Sequence, residues 1–422
     1  MKHSQSVFKN PFYIQASLSL LFFFTAWGIW WSFFQIWLTT RLGFSGAQVG
    51  TIYTFDSAIT LVLMFIYGSI QDKLGLKRKL LIVITILEML LGPFFTWIYA
   101  PMLKSNFILG AIAGSFYLSL AFLAASPTFE ALAERMSRRY GFEYGQARSW
   151  GSFGYAVAAL CAGYLFTISP YIVFWLSSVV SCLTLLLLTL GRTKNPTIIN
   201  QYEDKAEEVK EADKPTFKEI LHVFKLADLW KLVILIILSG SFYTVFDQQM
   251  FPEFFTQFFK TQAVGDTAYG ILNSIEVFLE AIMMAWVPWL MKKIGVRRTV
   301  LIGITVMFIR IGACGLVTNP LGISCIKLLH APETAIFALA IFRYITLHFD
   351  TRLSATMYMV VSQIAGQVGQ IIFSTPLGSL HDEIGYRSTF LVISVIVFLA
   401  LIFALFILKG DHQDVNGQPM DA

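Results

Sequence analysis

Long apolar segments separated by short polar connections run along almost the whole chain. An apolar segment of about 20 residues can cross a hydrocarbon core about 30 Å thick as a helix, and such segments recur from Phe12 almost to the C-terminus. We predict twelve, at roughly residues 12–38, 47–71, 79–99, 105–135, 144–166, 169–190, 223–258, 267–293, 298–318, 320–346, 353–379 and 386–408. Because the bilayer offers the backbone no hydrogen-bond partners, these segments must be helices, whereas a barrel would show alternating segments of about ten residues.

The composition supports a membrane protein. Of the 422 residues, 56% are hydrophobic and only 14% are charged, a balance that does not fit several soluble domains. The first apolar segment is too long for the core of a signal peptide, so we expect it to remain in the mature protein. The four cysteines lie inside apolar segments without the spacing of a metal site, so we expect reduced thiols, no disulfide and no metal: Cys161, Cys182, Cys314 and Cys325.

Lysine and arginine predict the orientation. They cluster in alternate connections, after the second, fourth, eighth and tenth segments, and basic loops lie on the cytoplasmic side. Both termini are then cytoplasmic. The net charge of +5 comes with this bias and gives no reason to propose a nucleic-acid partner.

A polar stretch divides the chain into two halves of six segments. It runs from Arg192 to Glu219 and has too few apolar residues to fold alone. We therefore predict a six-helix bundle at 1–190, a cytoplasmic linker at 191–220, a second six-helix bundle at 221–409 and a cytoplasmic tail at 410–422.

Four ionisable residues interrupt apolar segments of the second half. Lys327, His330 and Glu333 are three residues apart and share one broad face of a helix, and Arg310 lies in the preceding segment. A charge in hydrocarbon costs about 2.5–3.5 kcal/mol or more, so it persists where it has a partner, lines a cavity or carries ions and protons. The cluster predicts a transport pathway.

A basic loop with a central glycine occurs at the equivalent place in each half. The first copy is Gly68-Ser-Ile-Gln-Asp-Lys-Leu-Gly75-Leu-Lys-Arg78, and the second is Pro288-Trp-Leu-Met-Lys-Lys-Ile-Gly295-Val-Arg-Arg298. The glycine permits a tight turn between two helices. The first copy resembles the loop signature of the major facilitator superfamily, whose two six-helix bundles rock about a central site.

Further motifs resemble the oligosaccharide:proton symporters, the group of lactose, raffinose and sucrose permeases. They are Pro127-Thr-Phe-Glu130-Ala, Ser137 to Arg148, Val245-Phe-Asp247-Gln-Gln, Lys327-Leu-Leu-His330-Ala-Pro-Glu333 and Arg352-Leu-Ser-Ala-Thr. The resemblance runs from about Phe12 to Ile407. It implies a proton-coupled sugar importer in a bacterial inner membrane, working as a monomer without a cofactor other than the proton and without enzymatic activity.

Glu130 and Arg148 lie on successive segments of the first half. From the residues alone, an ion pair that locks two helices and a clamp for sugar hydroxyls are equally good interpretations. The resemblance favours sugar binding. Tyr155, two helical turns after Arg148, is expected to cover the apolar face of a sugar ring, where the lactose permeases have tryptophan; by itself a lone aromatic residue usually packs.

Three polar residues occupy the eighth segment. Asn273, Glu276 and Glu280 are expected to look inward, with the two carboxylates at i and i+4 on one face. The lactose permeases have a sugar-binding glutamate in this helix, at the position of Val277. We take Glu280 first and Glu276 second as the residue that inherits this role.

The resemblance divides the charged cluster by role. It makes the carboxylate of Glu333 the proton carrier, His330 the link between this carboxylate and the sugar, and Arg310 the group that helps Glu333 release its proton. Asp247 and Lys327 match a family pair that we interpret as a structural ion pair.

Sucrose is the first expectation for the sugar. Thr244 and Gly366 replace a charge pair of the lactose permeases that the sucrose permeases also lack, and Trp27 to Trp37 and Ser374 to Gly378 look more like the sucrose group. Lactose, melibiose, raffinose and fructo-oligosaccharides stay open as alternatives, and a membrane sugar sensor or a membrane-embedded enzyme are rivals of a different class. Asp56 and Glu88 have no assigned role.

Overall fold

The computed structural model describes residues 7–191, 224–349 and 357–412. All regular structure in these ranges is helical. After a short turn at Val7–Lys9 the helices are α1 (Pro11–Arg41), α2 (Gly46–Leu74), α3 (Lys79–Met89), α4 (Leu91–Ser105), α5 (Phe107–Tyr140), α6 (Tyr144–Ile168), α7 (Pro170–Leu190), α8 (Ala227–Val245), α9 (Phe251–Thr256), α10 (Gln262–Ile294), α11 (Val296–Leu316), α12 (Pro320–His348) and α13 (Met359–Ile407). Ten are long and apolar enough to cross a membrane, and α3 with α4, bent by 40°, would make an eleventh.

Asparagine side chains cap the start of several of these helices. The side chain of Asn10 accepts hydrogen bonds from the backbone amides of Phe12 and Tyr13 at the start of α1. Asn106 and Asn319 cap α5 and α12 in the same way. Such caps satisfy amides that have no partner within the helix.

The two predicted glycine turns are confirmed. Gly75, after α2, has φ +58°, and Gly295, between α10 and α11, has φ +90°. Residues with a Cβ rarely adopt this backbone conformation, so glycine permits the sharp reversal at both basic loops.

Three predicted segments of the second half differ from the observed helices. The segment at 223–258 is not continuous, because α8 ends at Val245 and the chain makes a series of turns before α9. The segments at 353–379 and 386–408 form the single run α13, 49 residues long, in which Gly385 departs from helical geometry with φ 79°. At 1.5 Å per residue, a straight helix of this length would be far longer than one crossing needs.

The chain forms two compact units. Among the described residues, the first contains 7–42, 58–191 and 266–274, and the second contains 43–57, 224–265, 275–349 and 357–412. Each unit takes a piece of one helix from the other half of the sequence, namely the start of α10 in the first and the start of α2 in the second. The predicted linker at 191–220 lies almost entirely outside the described residues, and the four predicted ranges stay predictions.

Aromatic side chains fill the first unit. Its α1 packs along α6 and α7, and Trp30, Trp37 and Phe95 are completely buried. Small residues allow the close approach of α1 and α6, since a Cβ added at Gly28 would lie 2.9 Å from the ring of Tyr155. Rigid packing on these helices holds the polar side chains that α5 and α6 carry.

In the second unit α11 is the central helix, packed against α12 and α13. Its Arg310 is completely buried, as are Ile304 and Ile311. Many large apolar side chains are instead exposed, including Leu316 and Phe406, as expected of helices that face lipid.

Candidate functional site

Arg310 joins two carboxylates inside the second unit. Its Nη1 and Nη2 donate to the two carboxylate oxygens of Asp247 at 2.6 and 2.7 Å. Its Nε and Nη2 donate to those of Glu333 at 2.6 and 2.9 Å. A planar guanidinium suits such paired, charge-assisted bonds, so one cation joins α11, α12 and the turns that follow α8.

Lys327 extends this network to α10. Its Nζ lies 2.8 Å from Asp247 Oδ1 and 3.0 Å from Glu276 Oε2. The Asp247–Lys327 pair predicted from sequence is therefore formed, but it is part of a larger network. Glu276, the second candidate for the sugar-binding carboxylate, is almost fully buried within it.

His330 lies between the three carboxylates. Its Nδ1 is 3.3 Å from Asp247 Oδ2 and 3.5 Å from Glu333 Oε1, and its Nε2 is 3.6 Å from Glu276 Oε1. The imidazole stacks on the ring of Tyr243, with centroids 5.2 Å apart. Both nitrogens of the ring thus face carboxylates.

Interruptions of two helices place these side chains. Asp247 lies in the turns that follow α8, and α12 is locally distorted at Leu329, between Lys327 and His330. Pro332 has no N–H to continue the helical hydrogen bonds there. Irregular backbone at membrane depth is tolerated where it is buried in protein or lines a cavity, so both interruptions mark this cluster as a functional region.

The charges of the network do not cancel. Asp247, Glu276 and Glu333 are three carboxylates, and Arg310 and Lys327 are two permanent cations. All five side chains are almost inaccessible to solvent, and leaving one buried charge uncompensated costs several kcal/mol. With His330 neutral, the cluster has one negative charge in excess and is balanced by a single proton.

The geometry of the cluster also bears on whether it could hold a metal ion. Asp247, His330 and Glu333 bring ligand atoms within 4.8 Å of one another, a spacing that could hold a metal. However, every oxygen of the two carboxylates already accepts a hydrogen bond from Arg310. A cation in this place would face the guanidinium directly, so the arrangement suits a proton better.

A second polar site lies in the first unit. Arg148 on α6 donates from Nε to Glu130 Oε1 on α5 at 2.6 Å, and from Nη1 to Ser152 at 3.3 Å. Its guanidinium also lies over the ring of Phe24, 4.1 Å from the centroid. Both charged side chains are about one-third exposed, 31% and 32%, so this pair keeps donor and acceptor positions open for a ligand.

Hydroxyl and amide groups on α1, α6 and α10 form a second set of polar contacts in the same unit. Ser32 on α1 accepts a hydrogen bond from Asn273 Nδ2 at 3.2 Å, and its hydroxyl is 3.5 Å from Tyr155 Oη. The predicted residues Tyr155 and Asn273 are thus brought together, whereas Glu280 is half-buried further along α10. Sequence reasoning missed Ser32, Phe24 and Ser152, because serine and phenylalanine are common in membrane helices and only tertiary contacts distinguish these.

Comparisons with known proteins agree with this arrangement. Residues 5–419 match the sequence profile described as the LacY proton/sugar symporter. The chain is 40% identical over 410 residues to the sucrose permease of Escherichia coli, covering 97% of this chain and 96% of the relative. It is 33% identical over 426 residues to the raffinose permease of Escherichia coli, covering 99% and 98%, and 34% identical over 408 residues to the melibiose permease of Enterobacter cloacae, covering 96% and 94%.

Solved structures share the fold. The nucleoside transporter NupG superposes with a TM-score of 0.76 at 12% identity, over 94% of this chain and 99% of that one. The inward open xylose transporter XylE from E. coli superposes with a TM-score of 0.64 at 14% identity, over 96% and 97%. The relatives and the structural neighbours are transporters rather than enzymes, and this multi-pass membrane protein belongs to the LacY family of proton/sugar symporters.

Proposed function

We propose that the chain imports a disaccharide or small oligosaccharide together with one proton by alternating access, and that sucrose is its sugar. The buried network in which three carboxylates face two permanent cations supports this proposal most directly. Such a network is neutral only after it takes up one proton. A site that binds sugar well only in its neutral, protonated form couples sugar movement to the proton gradient.

Glu333 carries the proton in this proposal. Arg310 donates to both of its carboxylate oxygens, so protonation requires the guanidinium to shift toward Asp247, to which it is also bonded at 2.6 and 2.7 Å. His330, 3.5 Å from Glu333 Oε1, relays the change to the sugar. Asp247 and Lys327 hold the network together as a structural ion pair.

Glu130 and Arg148 bind the sugar through charge-assisted hydrogen bonds, and Tyr155 and Asn273 add an aromatic face and an amide. The partial exposure of Glu130 and Arg148 supports this role. In the second unit, the half-buried Glu280 is our first choice for the sugar-binding carboxylate, and Glu276, whose Oε2 lies 3.0 Å from Lys327 Nζ, is the second. His330 links this sugar site to the proton carrier Glu333.

The proposed architecture is the one predicted from sequence: twelve membrane helices in two six-helix bundles, with both termini in the cytoplasm. Gly385 divides the long run α13 into two crossings, and bending makes one crossing of α3 and α4. The protein would work as a monomer in the bacterial inner membrane, with the proton as coupling ion and no other cofactor.

Sucrose is favoured among the possible sugars by the relative with 40% identity, which is a sucrose permease. Lactose, melibiose, raffinose and fructo-oligosaccharides are the alternatives, because a few residues at the rim of a site can change which hydroxyl groups are accepted.

The test is alkalinisation of the medium by de-energised cells that express the protein, on addition of sucrose, lactose, melibiose, raffinose or maltose in turn. A symporter takes up a proton with each sugar, so we expect the external pH to rise, most with sucrose. Cells that carry the empty vector provide the baseline. A response to raffinose alone would replace sucrose by raffinose as the proposed sugar. No response to any of the five would refute symport and favour the membrane sugar sensor.

A further inference from the structure

A carboxylate fastens the start of α2 within the second unit. The backbone amides of Gly46 and Ala47 donate to the two oxygens of Asp382 at 2.7 and 2.8 Å. Asp382 lies in the connection of residues 380–385, between the two predicted crossings of α13. Because the first amides of a helix lack partners within it and carry partial positive charge, a carboxylate there stabilises the start of the helix.

After Gly46 and Ala47, the first turns of α2 pack closely on α13. A Cβ added at Gly50 would lie 2.2 Å from the carbonyl oxygen of Ser374. The hydroxyls of Thr54 and Thr375 are 2.9 Å apart. Residues 46–57, which we call the seated segment, therefore rest on α13 with backbone against backbone, and Asp382 closes the end of this contact.

His381 lies directly beside the cap. Its Nδ1 is 3.4 Å from Asp382 Oδ1, and a Cβ added at Gly46 would lie 2.4 Å from the same nitrogen. The imidazole packs on the ring of Tyr386, with centroids 3.7 Å apart, and only 17% of its side chain is exposed. The ring is thus held between the start of α2 and Tyr386.

The charged surroundings of His381 are acidic. Asp382 and Tyr386 face it from its own element, and Glu253 faces it from α9, where the hydroxyl of Tyr386 donates to Glu253 Oε2. Residues 46–51 of α2 contain no acidic or basic side chain. Burial lowers the pKa of His381, and the carboxylates of Asp382 and Glu253 offset this only in part.

We propose that Asp382 and His381 form an acid-sensitive latch that holds the seated segment on α13 and releases it when His381 is protonated. Two physical effects act in the same direction. A charged imidazolium favours water over its buried place between the two helices, and its N–H groups compete with the amide of Gly46 for Asp382 Oδ1.

The direction of the pH dependence follows from the lowered pKa of His381. His381 binds protons less readily when seated than when released, so the seated segment is fully stabilised above the ordinary histidine pKa of about 6.5 and loses stability as the pH falls below it. The latch lies at the end of α2 opposite the basic loop of residues 73–79. If the proposed orientation holds, this is the external side, and external acid releases the segment during import.

Hydrogen exchange of the purified full-length protein, without sugar or a proton gradient, tests the latch. The measured quantity is the protection factor of the amides of residues 46–57, corrected for the intrinsic rate at each pH. In the wild type we expect it to fall between pH 7.5 and 5.5, by at most about tenfold for each pH unit, because one proton is involved. In His381→Gln, which cannot take up the proton, it should not change with pH.

Three further variants test whether Asp382 itself holds the seated segment on α13. Asp382→Ala should lower protection of the seated segment at both pH values, and Asp382→Asn, which keeps one acceptor, should lower it less. Glu383→Gln, an exposed acid next to the latch, should behave as the wild type. Protection of α11 reports whether each variant is folded. If His381→Gln keeps the wild-type pH dependence, or if both Asp382 variants keep full protection, the latch is refuted, whatever the outcome of the sugar-uptake experiment.

Discussion

Glu333 is the single residue whose replacement should separate sugar exchange from proton coupling. The substitution Glu333→Gln removes one of the three buried carboxylates, so the two that remain balance Arg310 and Lys327 without a proton. The variant should therefore bind and exchange sugar as the protonated wild type does, but lose uphill accumulation. Sugar counterflow and proton-driven uptake, measured in the same membrane vesicles, distinguish these activities.

The exposed Glu383→Gln variant is the matched control for Glu333→Gln, because it removes the same charge outside the network. It should leave both activities intact. Normal accumulation by Glu333→Gln would show that the proton is carried elsewhere.

Arg148 allows a similar test of the sugar site. The substitution Arg148→Lys keeps the positive charge but loses the planar group that donates to Glu130 and Ser152 at once. If the pair binds sugar, the KM for uptake should rise about tenfold or more, because a difference of 1.4 kcal/mol already corresponds to tenfold. The thermal unfolding midpoint should change little, because both side chains are partly exposed.

Arg138→Lys, on the exposed end of α5 with 63% of its side chain accessible, controls for a general effect of replacing arginine. An unchanged KM in Arg148→Lys, together with a lower unfolding midpoint, would support the other interpretation, an ion pair that only locks α5 to α6.

At the residue scale, sequence spacing predicted part of the charged network. The three-residue spacing of Lys327, His330 and Glu333 indicated a shared face, and they do join one network. Spacing could not show that Glu276 rather than Glu280 enters it, because both lie on the same face of α10 and only the position of Lys327 in space distinguishes them.

Between elements, small residues fix how closely two helices approach. Gly163 on α6 and Gly270 on α10 meet inside the first unit, where a Cβ added at Gly270 would lie 2.7 Å from the Cα of Gly163 and 2.9 Å from the carbonyl oxygen of Ala159. Membrane helices commonly pack in this way, because only small residues let the backbones come near.

The substitution Gly270→Ala should therefore destabilise the protein by about 1–3 kcal/mol, since both opposing atoms belong to the backbone and cannot yield easily. Thermal unfolding in detergent measures this as a lower midpoint. Gly366→Ala on α13 is the control, because its added Cβ would meet nothing within 4 Å and alanine favours a helix over glycine. Equal midpoints for the two variants would argue against a tight contact between α6 and α10.

Helix existence followed from sequence, but helix continuity did not. Apolar length predicted the long helices, and glycine predicted the turns at Gly75 and Gly295. The turns between α8 and α9 were missed because residues 246–250 contain no glycine or proline to signal them. The chain leaves the helix there while Asp247 bonds to Arg310 and Lys327, and such tertiary pairing is not visible in a local pattern.

For the whole molecule, the charge balance of the network predicts the stoichiometry of transport. One carboxylate in excess of the two permanent cations requires one proton, and a disaccharide carries no charge, so one positive charge should cross the membrane with each sugar. At equilibrium, sugar accumulation should then change tenfold for about 59 mV of driving force, as for any process that moves one charge.

Proteoliposomes with an imposed potassium diffusion potential and no pH difference measure this relation, from the voltage at which net sugar flux reverses for a set of sugar gradients. A tenfold change for about 30 mV would mean that two charges move and that a second carboxylate titrates during the cycle. Glu333→Gln should show no dependence of the sugar gradient on voltage, because its network is neutral without a proton. That result would locate the moving charge at the carboxylate that Arg310 holds.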